Sequence, residues 1–361
     1  MTAIDRRSLL GLLAAAGFSP LFPGTAGADE QNVWLTTARL ASGQFAAIGL
    51  GGDGGIAFSR ELPGRGHDIA VAPDRRRAVI FARRPGRFAI VIDLADGNAM
   101  QRVDAAAGRH FFGHGFFSPD GRLLYATENA FDAEAGVIGV YDVADGLRRV
   151  GEFPGIGIEP HEALLLADGR TIIAADGGIL THPDFGREKL NLATMAPALV
   201  RLDRTTGDVA GMARLDPALH QLSIRHLAAD RSGAIWFGCQ YEGDPGDMVG
   251  LIGRWRPGER PELLALPEGT TRALRQYVGS VAANRAGDRI AVTSPRGGLI
   301  IVLDAASGTI VRTVSQADVC GIAPGLDGDF LASDGRGGLL DASGRRTEHD
   351  GLSFDNHLRA P

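Results

Sequence analysis

A short unit recurs along the chain and restricts the folds available to it. Each copy is an apolar run, a turn that ends in glycine or arginine, and a second apolar run, as in residues 116–121 followed by 123–127. Seven such turns occur, the first in a weaker copy, and they end at Gly43, Arg75, Gly121, Gly169, Gly233, Gly287 and Gly328. Two extended segments joined by a tight turn are typical of antiparallel strands, and a repeated pair predicts a repeat architecture.

Further short apolar runs lie between the copies and end at Asp-Gly or Ser-Gly dipeptides, as in residues 88–93 before Asp96-Gly97. The pattern therefore predicts an all-β fold, a seven-bladed β-propeller of four-stranded antiparallel blades over residues 29–361. The first blade is short, so we expect the C-terminus to help close the ring. An insertion at residues 179–197 lengthens one step of the repeat, and its role stays open.

The start of the chain has the pattern of an export signal. Arg6 and Arg7 precede an apolar run over residues 9–18, and Ala26-Gly27-Ala28 follows as a small-residue cleavage pattern. We predict a twin-arginine signal peptide at residues 1–28, cleavage, and release into the periplasm. An apolar run of this length is too short for a membrane span, which needs about 20 residues. No membrane span is therefore expected after cleavage.

Composition and motif searches exclude several functions. The net charge is −6, so no dominant basic face for nucleic acid is expected. The Gly49–Gly54 match to a dinucleotide fingerprint is followed by a strand pattern instead of a helix, which argues against a nucleotide cofactor. The absence of a Cys-x-x-Cys-His motif excludes covalently attached haem. A disulfide between Cys239 and Cys320 stays open, because sequence spacing does not show proximity.

Histidines recur at one position of the repeat. In a propeller the first strand of each blade lines the central channel, so residues just before that strand lie near the channel mouth. Counted back seven or eight residues from the glycine or arginine that ends each turn, these positions hold His67, His114, His161, His226 and Cys320. Imidazole and thiolate ligands predict a transition-metal site for iron or copper. The alternative is that these histidines only bond to the backbone of a neighbouring blade.

A second set of polar residues is expected on the same face, after the second strands of the blades. We assign ligand or partner binding to five of them, Glu128, Asn129, Gln240, Glu242 and Arg296, and also to Arg225, which lies at the blade entry next to His226. A solvated rim of mixed charges is the alternative. No catalytic residue is assigned, because no nucleophile motif such as G-x-S-x-G occurs.

Several segments, among them residues 113–129, 222–227, 240–243 and 293–298, resemble an exported bacterial family, domain of unknown function 1513. More distantly, the blades resemble the YVTN-type repeats of the quinoprotein amine dehydrogenase-like superfamily. The resemblance implies a seven-bladed periplasmic propeller and no established activity. It also implies imelysin-type or di-haem peroxidase-like periplasmic partners and a setting of iron uptake, because members tend to be encoded beside such proteins.

These observations favour a non-catalytic periplasmic binding propeller, accessory to iron acquisition through a metal or partner site at the channel mouth. One alternative is a metal-dependent, lactonase-like hydrolase or an oxidoreductase subunit, which would use the same residues around a metal-bound water. Another is a protein scaffold that docks a partner and holds no metal.

Overall fold

A computed structural model describes residues 33–84 and 86–360. They form seven four-stranded antiparallel sheets, and the innermost strands of neighbouring sheets contact each other in a closed ring. The predicted seven-bladed β-propeller is thereby confirmed. The predicted export signal, residues 1–28, lies outside the described residues. Within the described part, no helix has the length and apolar character needed to cross a membrane.

The strands follow chain order, with one exception at the ring closure. Blade one contains β1 (Trp34–Leu40), β2 (Phe45–Leu50) and β3 (Ile56–Leu62). Blade two contains β4 (Gly66–Val71), β5 (Arg77–Ala82), β6 (Phe88–Asp93) and β7 (Ala99–Asp104). Blade three contains β8 (His110–Phe117), β9 (Leu123–Ala130), β10 (Ala135–Asp142) and β11 (Arg148–Phe153). Blade four contains β12 (Pro160–Leu165), β13 (Thr171–Asp176), β14 (Ala198–Asp203) and β15 (Val209–Ala213).

The remaining blades repeat this order. Blade five contains β16 (Leu222–Ala229), β17 (Ile235–Tyr241), β18 (Ile252–Trp255) and β19 (Glu262–Leu263). Blade six contains β20 (Ser280–Ala283), β21 (Arg289–Ser294), β22 (Leu299–Asp304) and β23 (Ile310–Ser315). Blade seven contains β24 (Val319–Pro324), β25 (Phe330–Asp334), β26 (Gly338–Leu340) and β27 (Arg346–Glu348). The last strand is β28 (Leu352–Arg359).

Helical structure in the described part is short. One α-helix, α1 (Glu268–Ala273), lies between blades five and six. The 3-10 turns are Phe131–Ala133, Pro183–Phe185, Leu192–Thr194 and Pro217–Leu219. Two of these turns belong to the 179–197 insertion, which connects β13 to β14 and contains no strand.

The C-terminal strand β28 closes the ring, as expected. It pairs antiparallel with β1, with Leu35 opposite Arg359 and Leu40 opposite Leu352. It also packs between β24 and β4, the innermost strands of blades seven and two. The innermost strand of blade one therefore comes from the end of the chain, and its side chains join those of the other six inner strands.

Burial follows position in the blade. The second strands β5 and β9 are buried almost throughout, whereas the outermost strand β7 is mostly exposed. Large side chains such as Trp236, Phe81 and Phe153 fill the space between neighbouring sheets. This close packing between the sheets holds the inner strand of each blade against the channel, and the positions of the channel-lining side chains are thereby fixed.

Candidate metal centre

Five imidazole rings meet inside the channel, one from each of five inner strands. They are His67 on β4, His114 on β8, His161 on β12, His226 on β16 and His357 on β28, and all are buried. The ring centroid of His114 lies 4.8 Å from those of His67 and His357, 4.9 Å from that of His161 and 5.8 Å from that of His226. The other four rings form a circuit around His114, with neighbouring centroids 4.8 to 5.8 Å apart.

Two carboxylates orient two of the rings. His114 Nδ1 lies 2.8 Å from Asp68 Oδ2, and His226 Nδ1 lies 3.3 Å from Glu162 Oε2. An ionised carboxylate only accepts hydrogen bonds, so in both rings Nδ1 carries the proton and donates it. The lone pair is therefore left on Nε2, which is the arrangement found when a carboxylate positions a histidine for a metal ion.

Arg359 links these carboxylates. Its Nε donates to Asp68 Oδ1 at 2.6 Å, and its terminal nitrogen donates to Glu162 Oε1 at 2.9 Å. Burial alone would raise the pKa of Asp68, but Arg359 and His114 hold that pKa well below its usual value. Burial also opposes ionisation of Glu162, yet the hydrogen bond from His226, with His114 and Arg359, lowers its pKa. Both carboxylates are thus charged, and because only one guanidinium lies between them, a net negative charge remains next to His114 and His226.

Four of the five imidazoles are held neutral by their surroundings. Burial lowers the pKa of His226 to about 4, and it also lowers the pKa values of His67, His161 and His357 well below the ordinary value. Neighbouring positive charges add to the effect, such as Arg225 beside His161. Neutral imidazole is the form that binds metal, so these side chains are in ligand form at neutral pH.

Several ring nitrogens have no hydrogen-bond partner. They are Nδ1 of His67 and Nε2 of His114 and His357, all buried. Each buried polar atom without a hydrogen-bond partner destabilises the folded state by about 1–3 kcal/mol. Three such atoms close together therefore indicate a position where a ligand binds. Ligand atoms lie within 4.8 Å of one another in two histidine groups that share His114, one with His67 and His161 and the other with His226 and His357. The residues present therefore fit a metal ion.

The second of these groups is better prepared for a metal. His161 Nδ1 lies 3.0 Å from the guanidinium of Arg225, which can only donate, so the neutral ring carries its proton on Nε2. In His114 and His226, by contrast, the carboxylates leave Nε2 free, and Nε2 of His357 is unpartnered. We therefore define the candidate metal centre as His114, His226 and His357.

A cavity adjoins the histidines on the side of the channel mouth. Its inner passage measures about 50 Å³ and is lined by His67, His161 and His226, together with Arg83, Arg84 and Arg225 among others. The outer cavity measures about 400 Å³. It shares the three arginines with the inner passage but none of the histidines, and Lys189, Glu242 and Arg296 also line it. The 179–197 insertion supplies Lys189 and Arg187 to this cavity.

Comparison with known proteins identifies the family. Residues 60–360 match the family model described as "Protein of unknown function (DUF1513)". The chain belongs to the DUF1513 family. The resemblance to this family seen in the sequence is confirmed, and the matched region includes all five channel histidines of this DUF1513 protein. No curated protein sequence matches the chain.

The fold of the DUF1513 chain also occurs in solved structures. One of them is Kuenenia stuttgartiensis hydrazine synthase, with a TM-score of 0.61 and 14% sequence identity. The alignment covers 92% of this chain and 100% of that chain. At this identity the likeness shows a shared fold and nothing about the site.

The structure brings together most of the residues that the repeat singled out in this DUF1513 chain. His67, His114, His161 and His226 all belong to the imidazole cluster. Cys320 does not join either group of candidate ligands among the described residues. Its thiol lies 3.1 Å from the carbonyl oxygen of Asp355, and burial raises its pKa, so it stays protonated and poorly suited to bind metal. Both cysteines are free in the structure.

Of the six residues predicted to bind a ligand or partner, four line the outer cavity and two do not. Arg225, Gln240, Glu242 and Arg296 line the outer cavity. Glu128 is fully buried inside blade three instead, where it accepts hydrogen bonds from Tyr141 and, at 2.8 Å, from Arg149. Asn129 is buried as well and donates to the carbonyl oxygen of Thr181 at 3.0 Å.

Four residues of the site were not selected from the sequence, namely His357, Asp68, Glu162 and Arg359. Asp68 and Glu162 directly follow His67 and His161, so a histidine-carboxylate dipeptide on an inner strand was an available signal. His357 and Arg359 lie on the closing strand. No repeat turn follows them in the chain, and the counting rule that found the other histidines could not be applied.

Proposed function

We propose that this DUF1513 protein is a periplasmic binding propeller that holds one transition-metal ion inside its channel, through His114, His226 and His357, as an accessory to metal acquisition. The observation that carries the proposal is the pair of carboxylate-oriented imidazoles beside unpartnered buried ring nitrogens. Asp68 and Glu162, partly neutralised by Arg359, supply the negative charge that a buried cation needs.

The donor set favours particular ions. Neutral imidazoles supported by carboxylates suit iron(II), copper(II) and zinc(II), and they do not suit calcium or magnesium, which prefer oxygen ligands. Without a thiolate the site lacks the soft ligand typical of copper(I). We propose iron(II) or copper(II) as the metal, although zinc(II) fits the same ligands, and copper(II) is expected to bind most tightly under equal conditions.

Access to the centre supports binding over catalysis. His114 is fully buried, His357 is 3% exposed, and neither ring lines the inner passage or the outer cavity. The inner passage of about 50 Å³ holds a few water molecules and no organic substrate. A hydrolase or oxidoreductase needs its substrate beside the metal, whereas a metal carrier needs only the ion to enter.

Metal content tests the proposal. The protein is exported natively, purified without a histidine tag and analysed by mass spectrometry, together with a His226→Gln/His357→Gln variant. The unchanged chain should carry close to one iron or copper ion per molecule, and the variant should carry almost none. Asp68→Asn, which keeps both rings, should weaken metal binding about 10- to 100-fold in a competition titration.

The matched control is His110→Gln. His110 is also a buried histidine, but its Nδ1 contacts the carbonyl oxygen of Phe111 at 3.0 Å and its Nε2 contacts Asn129, outside the cluster. This variant should keep its metal. A metal-free native protein that stays empty after challenge with ferrous and cupric ions, while remaining folded by circular dichroism, would refute the proposal.

A further inference from the structure

The cavity at the channel mouth has an unusual charge for this molecule. The whole chain has a net charge of −6, yet the cavity is lined by six cationic side chains and only two carboxylates. The cations are Arg83, Arg84, Arg187, Lys189, Arg225 and Arg296, and the carboxylates are Glu159 and Glu242. Positive charge is therefore concentrated at one concave place on an acidic protein.

Internal ion pairs neutralise only part of this charge. Lys189 pairs with Glu242, and Arg225 donates to Glu159 Oε2 at 3.1 Å. Arg83 donates to Asp355 Oδ1 at 3.2 Å and to the Asn356 side chain at 3.0 Å. These contacts account for three of the six cations.

The other three arginines have no carboxylate partner among residues 33–84 and 86–360. Arg84 donates to the hydroxyl of Thr181, which is neutral. The guanidinium of Arg296 lies 4.4 Å from the ring centroid of Tyr277, over its face. Arg187 projects from the 179–197 insertion and makes no ion pair. In addition, Nε of Arg225 is buried without a hydrogen-bond partner.

The cations also repel each other. Burial lowers the pKa of Arg84, and the nearby guanidinium groups of Arg225, Arg187 and Arg83 lower it further, against an opposing effect of Glu159. Holding several like charges in a partly desolvated cavity is unfavourable unless an anion is present. The arrangement thus has the electrostatics of an anion-binding site.

We propose that this cavity binds a small, multiply charged anion through its carboxylate or phosphate oxygens. Guanidinium groups donate pairs of parallel hydrogen bonds to such oxygens, and Arg84, Arg187 and Arg296 are the ones available for it. The amides of Gln240 and Asn356 line the same space and add neutral donors. A volume of about 400 Å³ is within the range of small-molecule sites.

The anion site adjoins the candidate metal centre without depending on it. Arg225 contacts both the cavity and His161, and the inner passage connects the arginines to the histidines. An anionic chelate would place its oxygens among the arginines and its metal next to the imidazoles. That last statement rests on the proposed function, whereas anion binding itself rests only on the cavity.

Calorimetric titration of the metal-free protein tests the inference. Citrate and inorganic phosphate are the two probes, each at low and at physiological salt. We expect one anion per chain, with an affinity at least tenfold lower in Arg84→Gln/Arg296→Gln and weaker binding at the higher salt concentration. Tighter binding of citrate assigns a polycarboxylate, and tighter binding of phosphate assigns a phosphate group. Either result supports the site.

The control variant is Arg39→Gln/Arg214→Gln, which removes the same charge at exposed positions outside the cavity and should bind like the unchanged protein. Arg187→Glu, at an exposed position of the insertion, reverses a cavity charge with little risk to folding and should also reduce affinity at least tenfold. No binding of either probe, or equal binding by all variants, would overturn the inference. Because the protein is metal-free, this failure would leave the metal-content result unaffected.

Discussion

Arg75 occupies the left-handed region of the backbone, with φ of +54°. The equivalent positions of the other repeat turns are glycines, and all of them also have positive φ, from +64° at Gly287 to +88° at Gly43. A side chain in this region costs roughly 1–2 kcal/mol, which glycine avoids. The turn geometry therefore explains why glycine recurs at this point of the repeat, and at Gly287 an added Cβ would also lie only 2.7 Å from the backbone nitrogen of Arg231.

Arg75→Gly should stabilise the protein by roughly 0.5–1 kcal/mol, because relief of backbone strain exceeds the added flexibility of the unfolded chain. The reciprocal change, Gly233→Ala, should destabilise it by about 1 kcal/mol, since a Cβ there meets no atom within 4 Å and only the backbone conformation resists it. Denaturant unfolding of both variants measures these differences. Equal stability of both variants and the parent would contradict the interpretation.

At the scale of the strand, β28 has two roles. Phe354 and Leu358 pack into the core between blades one and seven, beside Trp34 and Leu50. The same strand carries His357 toward the candidate ligands and Arg359 toward the carboxylates that orient them. The strand that closes the ring therefore also completes the candidate metal centre.

Leu358→Ala should lower the free energy of unfolding by about 2–5 kcal/mol, because it leaves a cavity at a side chain that is only 2% exposed. It should also weaken metal binding, since the adjacent His357 loses its support. Leu326→Ala is the control, because this leucine is 48% exposed and the same change should cost little. Chemical unfolding and metal titration of the pair give the comparison. A similar loss in both variants would show that β28 is not tightly packed.

At the scale of the whole molecule, buried ionisable groups from blades that are far apart in sequence lie together in the channel. Arg359 and Asp68 are 291 residues apart, and Arg359 and Glu162 are 197 apart. In the closed ring, burial favours the neutral form of the imidazoles, whereas Arg359 and the histidine hydrogen bonds keep Asp68 and Glu162 ionised. Their titration is therefore linked to unfolding of the propeller as a unit.

The metal-free protein should lose stability between pH 6.5 and about 4. His226 has a pKa of about 4 in the folded state, and burial also depresses the pKa values of His67, His161 and His357. At these pH values the unfolded chain binds protons that the folded chain does not. Stability is thus fully present above the unfolded pKa and is lost as pH falls toward the folded one.

The shift of His226 alone corresponds to roughly 3 kcal/mol over this range. Unfolding free energies measured by denaturant at pH 7, 5.5 and 4.5 give the profile. The slope of the unfolding free energy against pH gives the number of protons taken up on unfolding, and His226→Gln should reduce that number by about one. A flat profile down to pH 4.5 would contradict the prediction, because it would mean that these imidazoles take up protons at the same pH in the folded and the unfolded chain.

The sequence by itself determined the propeller, because short strands and tight turns are encoded locally and recur at each blade. It also located His67, His114, His161 and His226, since each turn fixes the register of the strand before it. Position in the repeat did not determine where a side chain points. Glu128 turns into blade three to meet Tyr141 and Arg149, and the Cys320 thiol meets a backbone carbonyl.

Only the tertiary structure decided which groups complete the site. His357 and Arg359 reach the channel because the last strand returns to the first blade, and no local pattern encodes that pairing. The tautomers of His114 and His226 follow from carboxylates on neighbouring blades. These contacts join residues that are distant along the chain, so they exist only once the ring is closed.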